Sequence, residues 1–462
     1  MVGRHVDGSL PACDHRGRMR RVIGYELLGV VAVVLASTAV ANARAEGAWK
    51  VTTVQAGSRA SLVDLVALPR GPVAMLLEVR AGRRHRLILR TGSRSRVLMS
   101  ARHSLGGELA ADGRGRLSAA WTTIPDGSGI RQAYVWTGGT TRALTSGPGH
   151  VSWVRIAVAA DGAGVVAVEK GGGVTMFRRS RTGPFGEPEV LAGAAGVDDV
   201  AAAPGARFAV AGSGVAGPGG AGKVAAVAPR ISEPFPAAVR LTPAPGPANT
   251  SALLRPATVG FTRAGAVVVA FSALHQQVGP PSERPPPFVG GVVQAFVWPR
   301  GAAGPGDPVA ISRGRFAYDP LFVSSGDRQW LAWLETSGRC CRADTLAAAR
   351  LTREGIGAAV TRRVAVPGLL GIDRPSVAAA PHDGLRWYLP RATRNSSALQ
   401  TLLLDRNGRF GPLQTVAAGR NVAFANFSVT PIPAHGQPVD LVGWNSPLSN
   451  RSTQTRVRLA RP

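Results

Sequence analysis

From residue 46 onward the chain alternates short apolar runs with polar turns, and most of the turns carry a glycine. Ile156-Ala-Val-Ala-Ala-Asp161-Gly162-Ala-Gly-Val-Val-Ala-Val168 sets the pattern. Pro256-Ala-Thr-Val-Gly-Phe-Thr-Arg-Ala-Gly265-Ala-Val-Val-Val-Ala-Phe271 and Ser376-Val-Ala-Ala-Ala-Pro-His-Asp383-Gly384-Leu-Arg-Trp-Tyr-Leu389 repeat it. Apolar runs of this length bounded by Gly, Asp and Pro predict strands rather than helices. Eight turn glycines, Gly71, Gly113, Gly162, Gly205, Gly265, Gly326, Gly384 and Gly436, follow one another at intervals of 42 to 61 residues. A repeat of that period made only of strands predicts a β-propeller of four-stranded blades. The expected fold class is therefore all-β, with eight blades.

Four strands are legible in each unit. In the third they are Arg155 to Ala160, Val165 to Glu169, Val174 to Arg178 and Pro188 to Ala192. The others are expected over Leu62 to Ser100, Glu108 to Ser146, Val197 to Thr242, Arg255 to Ser312, Phe316 to Val366, Ile372 to Ala418 and Ala423 to Pro462. The eighth ends after a third strand at Thr455 to Ala460, so its fourth is expected from Trp49 to Gln55, closing the ring and covering two strand edges. A seven-bladed ring is the alternative, because the fourth unit is rich in Gly, Ala and Pro.

Loop length differs between the two faces such a ring would have. Connections between first and second strands are the short glycine turns. Those between second and third strands are long in six units: Thr122 to Ile130, Gly212 to Gly222, Ser272 to Gly291, Glu335 to Thr345, Arg391 to Ala398 and Asn445 to Thr453. Loops on a rigid scaffold carry recognition, so this face is the expected binding surface. Its candidate ligand-binding residues are His275, Gln276, Glu283, Arg284, Glu335, Arg339, Arg342, Asp344 and Asn395. The adjacent Cys340 and Cys341 are candidates for a vicinal disulfide, with free thiols the alternative. Aromatics at equivalent strand positions, Trp121, Phe271, Trp333 and Trp444 with Trp136, Phe177, Phe296 and Trp298, are expected in the packing between blades rather than on a sugar-stacking surface. Asp112, Asp161 and Asp383 precede turn glycines and suit tight turns with positive φ.

The amino terminus adds an address. Val22 to Ala41 is apolar, follows Arg18, Arg20 and Arg21, and is followed by Ala43-Arg44-Ala45. That order matches a secretory signal, with Met19 a candidate true start and residues 1–45 a leader cleaved after Ala45. The uninterrupted apolar part, Leu27 to Ala41, has 15 residues, short of the ~20 that a membrane span needs. Left uncleaved, it would be a single membrane anchor. The rest, residues 46–462, reads as one domain, secreted or held in the cell envelope and expected as a monomer.

Net charge is +27, and +24 once the six Arg and three acidic residues of the leader are removed. Lys occurs only at positions 50, 170 and 223, so the excess is Arg in a chain also heavy in Ala, Gly, Val and Pro, a bias that GC-rich codon usage produces by itself. The field still favours acidic partners such as anionic wall polymer or polysaccharide. No basic run is interleaved with aromatics, which speaks against nucleic acid. Histidines show no metal-ligand spacing, and no nucleophile elbow or phosphate-cradling loop is present, so no catalytic residue, metal or cofactor is assigned.

The turn Ala159-Ala160-Asp161-Gly162, the strand Val268-Val269-Ala270-Phe271 and the segments Gly183-Pro184-Phe185-Gly186-Glu187-Pro188 and Gly408-Arg409-Phe410-Gly411-Pro412 resemble the units of secreted β-propeller repeat proteins of high-GC, actinobacterial-type bacteria. A looser similarity is to sialidase-type propellers, although no unit carries their Ser-x-Asp-x-Gly-x-x-Trp box. The resemblance implies a fold and little function. Three functions remain as expectations, one of them a scaffold ring inside a cell-envelope assembly. Another is a non-enzymatic exported propeller that binds an envelope protein or anionic polymer. The third is a carbohydrate-active hydrolase or lyase using carboxylates, among them Asp126, Glu283, Glu335 and Asp344, and arginines of the loop face.

Overall fold

A computed structural model of the chain describes residues 50–55, 59–69, 73–181, 183–215, 222–278, 287–313, 316–325, 327–336, 344–352, 355–364, 376–392, 397–419, 425–434, 437–447 and 455–461. The chain divides into two units, Met1–Glu46 and Gly47–Pro462. The expected leader lies outside the described residues, as do Glu283, Arg284, Arg339, Cys340, Cys341, Arg342 and Asn395. The second unit is all-β, and its one described helical element is a single 3-10 turn at Pro381–Asp383.

Its strands form seven sheets of consecutive antiparallel strands. The sheets of units two to seven open with the first strands Gly106–Ala111, Val151–Val158, Ala194–Ala203, Thr250–Leu254 with Thr258–Phe261, Phe316–Ser325 and Ser376–Ala380. The seventh sheet joins Arg59–Val66 and the three strands after it to Ala425–Ala434, Gln437–Pro447 and Thr455–Arg461, through one bridge between Arg59 and Thr455. Lys50–Gln55 pairs antiparallel with Thr455–Arg461, the partner expected for it. Each first strand packs beside the first strand of the next unit, and Ala425–Ala434 packs beside Arg59–Val66.

Unit four shows why so many strands are continuously apolar. Phe208 and Val210 of its second strand are buried with Val165, Ala167 and Met176 of unit three. Ala209 and Ala211, on the opposite face, are buried with Val267, Val269 and Phe271 of unit five. Successive side chains point to opposite faces of a strand, and here each face has a sheet against it. The alanines are small because Phe271, Phe296 and Trp298 fill the space opposite them. Low side-chain volume in unit four therefore belongs to a regular four-stranded sheet, Ala194–Ala203, Arg207–Gly214, Lys223–Ala228 and Val239–Leu241.

The turn glycines divide by geometry. Gly162 has φ of 94°, the region an Asp-Gly turn was expected to need, and Gly265, which follows Ala264, has φ of 86°. Gly113 is not in that region. It has no side chain because a Cβ there would stand 2.8 Å from the Ala160 carbonyl oxygen, which its own N–H meets at 2.9 Å. Before Gly384 the positive φ falls on His382 and Asp383 instead. Turn aspartates also tie neighbours: Asp161 Oδ2 accepts the Gly205 N–H at 2.8 Å, and Asp383 Oδ1 accepts the Asp327 N–H at 3.0 Å.

A first strand is the edge of its sheet, and its outward N–H groups need acceptors. They find them on the unit before. Asp64 Oδ2 accepts the Leu109 N–H at 2.7 Å, Glu108 Oε2 accepts Ile156 N–H at 3.0 Å, and Asp199 Oδ2 accepts Val259 N–H at 3.0 Å. Arg155 Nε donates to the Asp198 carbonyl at 2.9 Å, and Thr258 Oγ1 accepts the Phe322 N–H at 3.2 Å. These ties run from unit one to unit six. Asp199 also accepts the Thr258 hydroxyl and the Val200 N–H, each at 2.9 Å, so Asp199→Ala leaves three donors without their acceptor and is expected to cost about 1–3 kcal/mol. Urea unfolding of D199A and D199N checks this. The Asn variant keeps an acceptor oxygen and should recover part of the loss, whereas equal midpoints for wild type and D199A would refute the tie.

Candidate functional site

The first strands of units one, two and three end at a pocket of about 750 Å³ on the side of the second-to-third connections, where Thr122 and Arg131 border it. Its wall carries Asp64, Glu108, Arg131, Ser152, Trp153 and Arg155. Pairing of Val151–Val158 with Gly164–Lys170 slips at Ser152: Val151 faces Lys170 and Trp153 faces Glu169. Such a bulge re-aims side chains, and Ser152 and Trp153 stand exposed together between buried Val151 and Val154. Trp153 is 58% exposed, while Trp121, Trp136, Trp298, Trp330, Trp333 and Trp387 are buried.

Arg155 lies two residues on, with its guanidinium carbon 5.6 Å from the centre of the Trp153 ring. The same guanidinium pairs with Glu108. Burial pushes the Glu108 carboxyl above its ordinary value of 4.5, with the Asp64 charge adding to the rise; the Arg155 charge and the Ile156 N–H oppose it without cancelling it. Asp64 spends both oxygens on backbone, accepting Leu65 N–H and Leu109 N–H, each at 2.7 Å. The pocket thus offers one exposed indole, two guanidiniums and short polar side chains. Among the described residues no group of three or more His, Cys, Asp or Glu could hold a metal ion.

Beside the pocket, Ser104 Oγ donates to Glu78 Oε2 at 3.1 Å, and the other Glu78 oxygen meets His85 Nδ1. The carboxylate stands between serine and histidine, so the imidazole cannot take the serine proton in this arrangement.

The residues expected from the sequence that the structure describes lie elsewhere. His275 and Gln276 were expected in a loop, but Val267–Gln277 runs on as strand because Thr250–Leu254 and Phe288–Trp298 flank it on both sides. His275 is buried, and burial pushes its imidazole below the usual range. Glu335 is likewise a strand residue, in Arg328–Thr336, buried and accepting Trp333 Nε1–H at 2.8 Å and Arg313 N–H at 3.0 Å. Asp344 adjoins it through its N–H to the Glu335 carbonyl (3.0 Å) and faces Arg363 at 3.6 Å. Asp126 pairs with Arg84 at 2.8 Å. Trp121, Phe271, Trp333, Trp136, Phe177, Phe296 and Trp298 are buried, as packing between sheets requires.

No protein-family model matches the chain. No curated protein matches it either. Among solved structures, an ulvan lyase of polysaccharide lyase family PL25 aligns at 10% identity over 88% of this chain and 95% of its own, with a TM-score of 0.45. A prolyl endopeptidase aligns at 13% over 85% of this chain and 53% of its own, TM-score 0.40. The microbial sialidase Hz136 aligns at 11% over 84% and 73%, TM-score 0.37. None of these likenesses carries an activity to this chain.

The Glu108 carboxyl is expected to titrate above 4.5, and to move down in Asp64→Asn, where the neighbouring negative charge is gone. Since the folded carboxyl keeps its proton to higher pH than in the unfolded chain, its contribution to stability is complete below 4.5 and is lost as pH rises through the folded value. Carbon-detected NMR of the Glu108 carboxyl across pH reads both directions, and a value below 4.5 would contradict them.

Proposed function

We propose that the protein is an extracytoplasmic, monomeric eight-bladed propeller that binds an acidic saccharide chain at the Trp153 pocket. The ring reading is supported by the succession of neighbouring first strands, from Arg59–Val66 round to Ala425–Ala434, and by Lys50–Gln55 completing the last set of four. The export reading is supported by the apolar stretch before Ala45 and its arginine flank.

The observation that carries the ligand class is the exposure of Trp153 inside a polar pocket. A flat aromatic face open inside a concave site with convergent polar groups is the kind of lining a ligand pocket offers. An indole offers a flat apolar face to the C–H face of a pyranose, while hydroxyl-sized polar groups around it satisfy the sugar's rim. The exposed Arg131 beside it favours a saccharide with carboxylates, since a guanidinium fork matches that group. The net charge of +27 favours approach of such a chain from a distance.

Binding fits the pocket better than cleavage. Hydrolysis of a glycosidic bond uses two carboxyl groups free to exchange protons or attack carbon. The raised Glu108 suits a proton donor, but Asp64 holds two backbone N–H groups and Glu108 holds one more besides Arg155. Both are committed to joining units.

Oligogalacturonate, tested against a neutral maltooligosaccharide by calorimetry at low salt, is the probe. The acidic chain should bind the wild type, and Trp153→Ala should weaken it by about tenfold or more, the effect of losing a central aromatic anchor. Reducing ends should not accumulate. Equal affinity in W153A, or no binding of the acidic chain, would refute the reading, and release of reducing ends by wild type but not Glu108→Gln would replace it with the enzymatic one.

A further inference from the structure

A second cavity, of about 480 Å³, opens between units four and five on the opposite side, where the first-to-second turns lie. Arg207, Arg230 and Arg300 line it, with Glu233 the one acidic residue on its wall among the described residues. Arg207 begins the second strand of unit four, and Arg300 follows the third strand of unit five, Phe288–Trp298. The two meet across the turn at Gly265: a Cβ added there would come within 2.7 Å of Arg207 Nη1 and 3.2 Å of Arg300 Cδ.

The geometry holds Arg207 firmly. Its Nη1 donates to the Gly265 carbonyl at 3.0 Å, and its guanidinium carbon lies 5.1 Å from the centre of the Phe261 ring. Burial and the charge of Arg300 both act against its proton and lower its pKa. Glu233 does not relieve this, being paired with Arg230 at 3.8 Å. The wall itself is stiff. Pro229, Pro234, Pro236 and Pro299 line it, the Arg230 carbonyl accepts Arg178 Nη1–H at 3.1 Å, and Trp298 Nε1–H donates to the Ala302 carbonyl at 2.9 Å.

We propose that this cleft is an anion site for a phosphate or sulfate group, free or carried as an ester. The fixed Arg207 guanidinium with the exposed Arg300 beside it on the same wall presents more donors than one carboxylate can accept, and a tetrahedral dianion both neutralises them and receives their N–H bonds. Arg207 is preorganised, so little of its side-chain freedom is lost when the anion enters. It shares no residue with the Trp153 pocket and stands independently of the saccharide reading.

The test is calorimetry on the whole protein at low salt, with inorganic phosphate, sulfate and glucose 6-phosphate as probes. Arg300 is exposed, so Arg300→Glu should fold as the wild type does. Arg350→Glu, at an exposed position in Thr345–Leu351 of unit six, makes the same change in net charge elsewhere. The R300E variant is expected to lose about tenfold or more in affinity for the anion, and R350E to stay within about twofold of wild type. Tighter binding of glucose 6-phosphate than of phosphate would identify an ester as the occupant, and the reverse order the free anion. Equal losses in R300E and R350E would reduce the effect to overall charge and overturn the proposal. So would wild-type affinity in R300E, or no binding of any of the three probes.

Discussion

The unpaired edge of each first strand is the constraint on which the arrangement of units depends. A four-stranded sheet has two edges, and the outer one can face water at little cost. The inner one stands beside the inner edges of its neighbours, where an N–H without an acceptor costs about as much as a lost hydrogen bond. Asp64, Glu108 and Asp199 meet that demand by reaching into the following unit. Burial of apolar side chains between sheets supplies the bulk of the stabilisation but has no direction and tolerates sliding. The carboxylates supply position, because an oxygen at hydrogen-bond distance from one particular N–H fixes how one sheet is set against the next.

The same carboxylates shape both the pocket and what it can do. Glu108 is drawn into the wall by the Ile156 N–H and by Arg155, and Arg155 in turn reaches the Asp198 carbonyl. Arg155 is thereby held straight enough to lie against Trp153. A site assembled from joining residues is rigid, which suits selective binding. It also leaves few groups free for chemistry, since moving a proton off Glu108 or Asp64 would disturb the join between units.

The sequence made the scaffold legible and left the site hidden. Strand, turn and order followed from apolar runs and glycines, and the burial of Trp121, Phe271 and Trp333 followed from their equivalent places in the repeat. Trp153 is hidden because the bulge at Ser152 breaks the alternation that would mark it, leaving it in the approach to a strand expected to begin at Arg155. Its separation of two from Arg155 was the available signal, since residues so spaced share a face. Asp64, Glu108 and Asp199 look like ordinary polar positions, and nothing local announces that their partners lie 45, 48 and 60 residues away. His275 and Glu335 were misplaced for another reason. Loop residues were counted from polarity, but strands with partners on both sides extend into polar sequence.

Every side-chain-to-backbone tie among the described first strands points the same way, from a unit to its successor, and this bears on how such a chain can grow. A tandem copy of unit two would be served at once, because Glu108 of the first copy would offer its oxygen to the Leu109 N–H of the second. A tandem copy of unit three would not. Arg155 is a donor, so the Ile156 N–H of the second copy would meet another donor where Glu108 now supplies an oxygen. Units that lead with a carboxylate are therefore the ones whose duplication leaves the join intact, and a unit that leads with arginine can be gained only together with the neighbour that answers it.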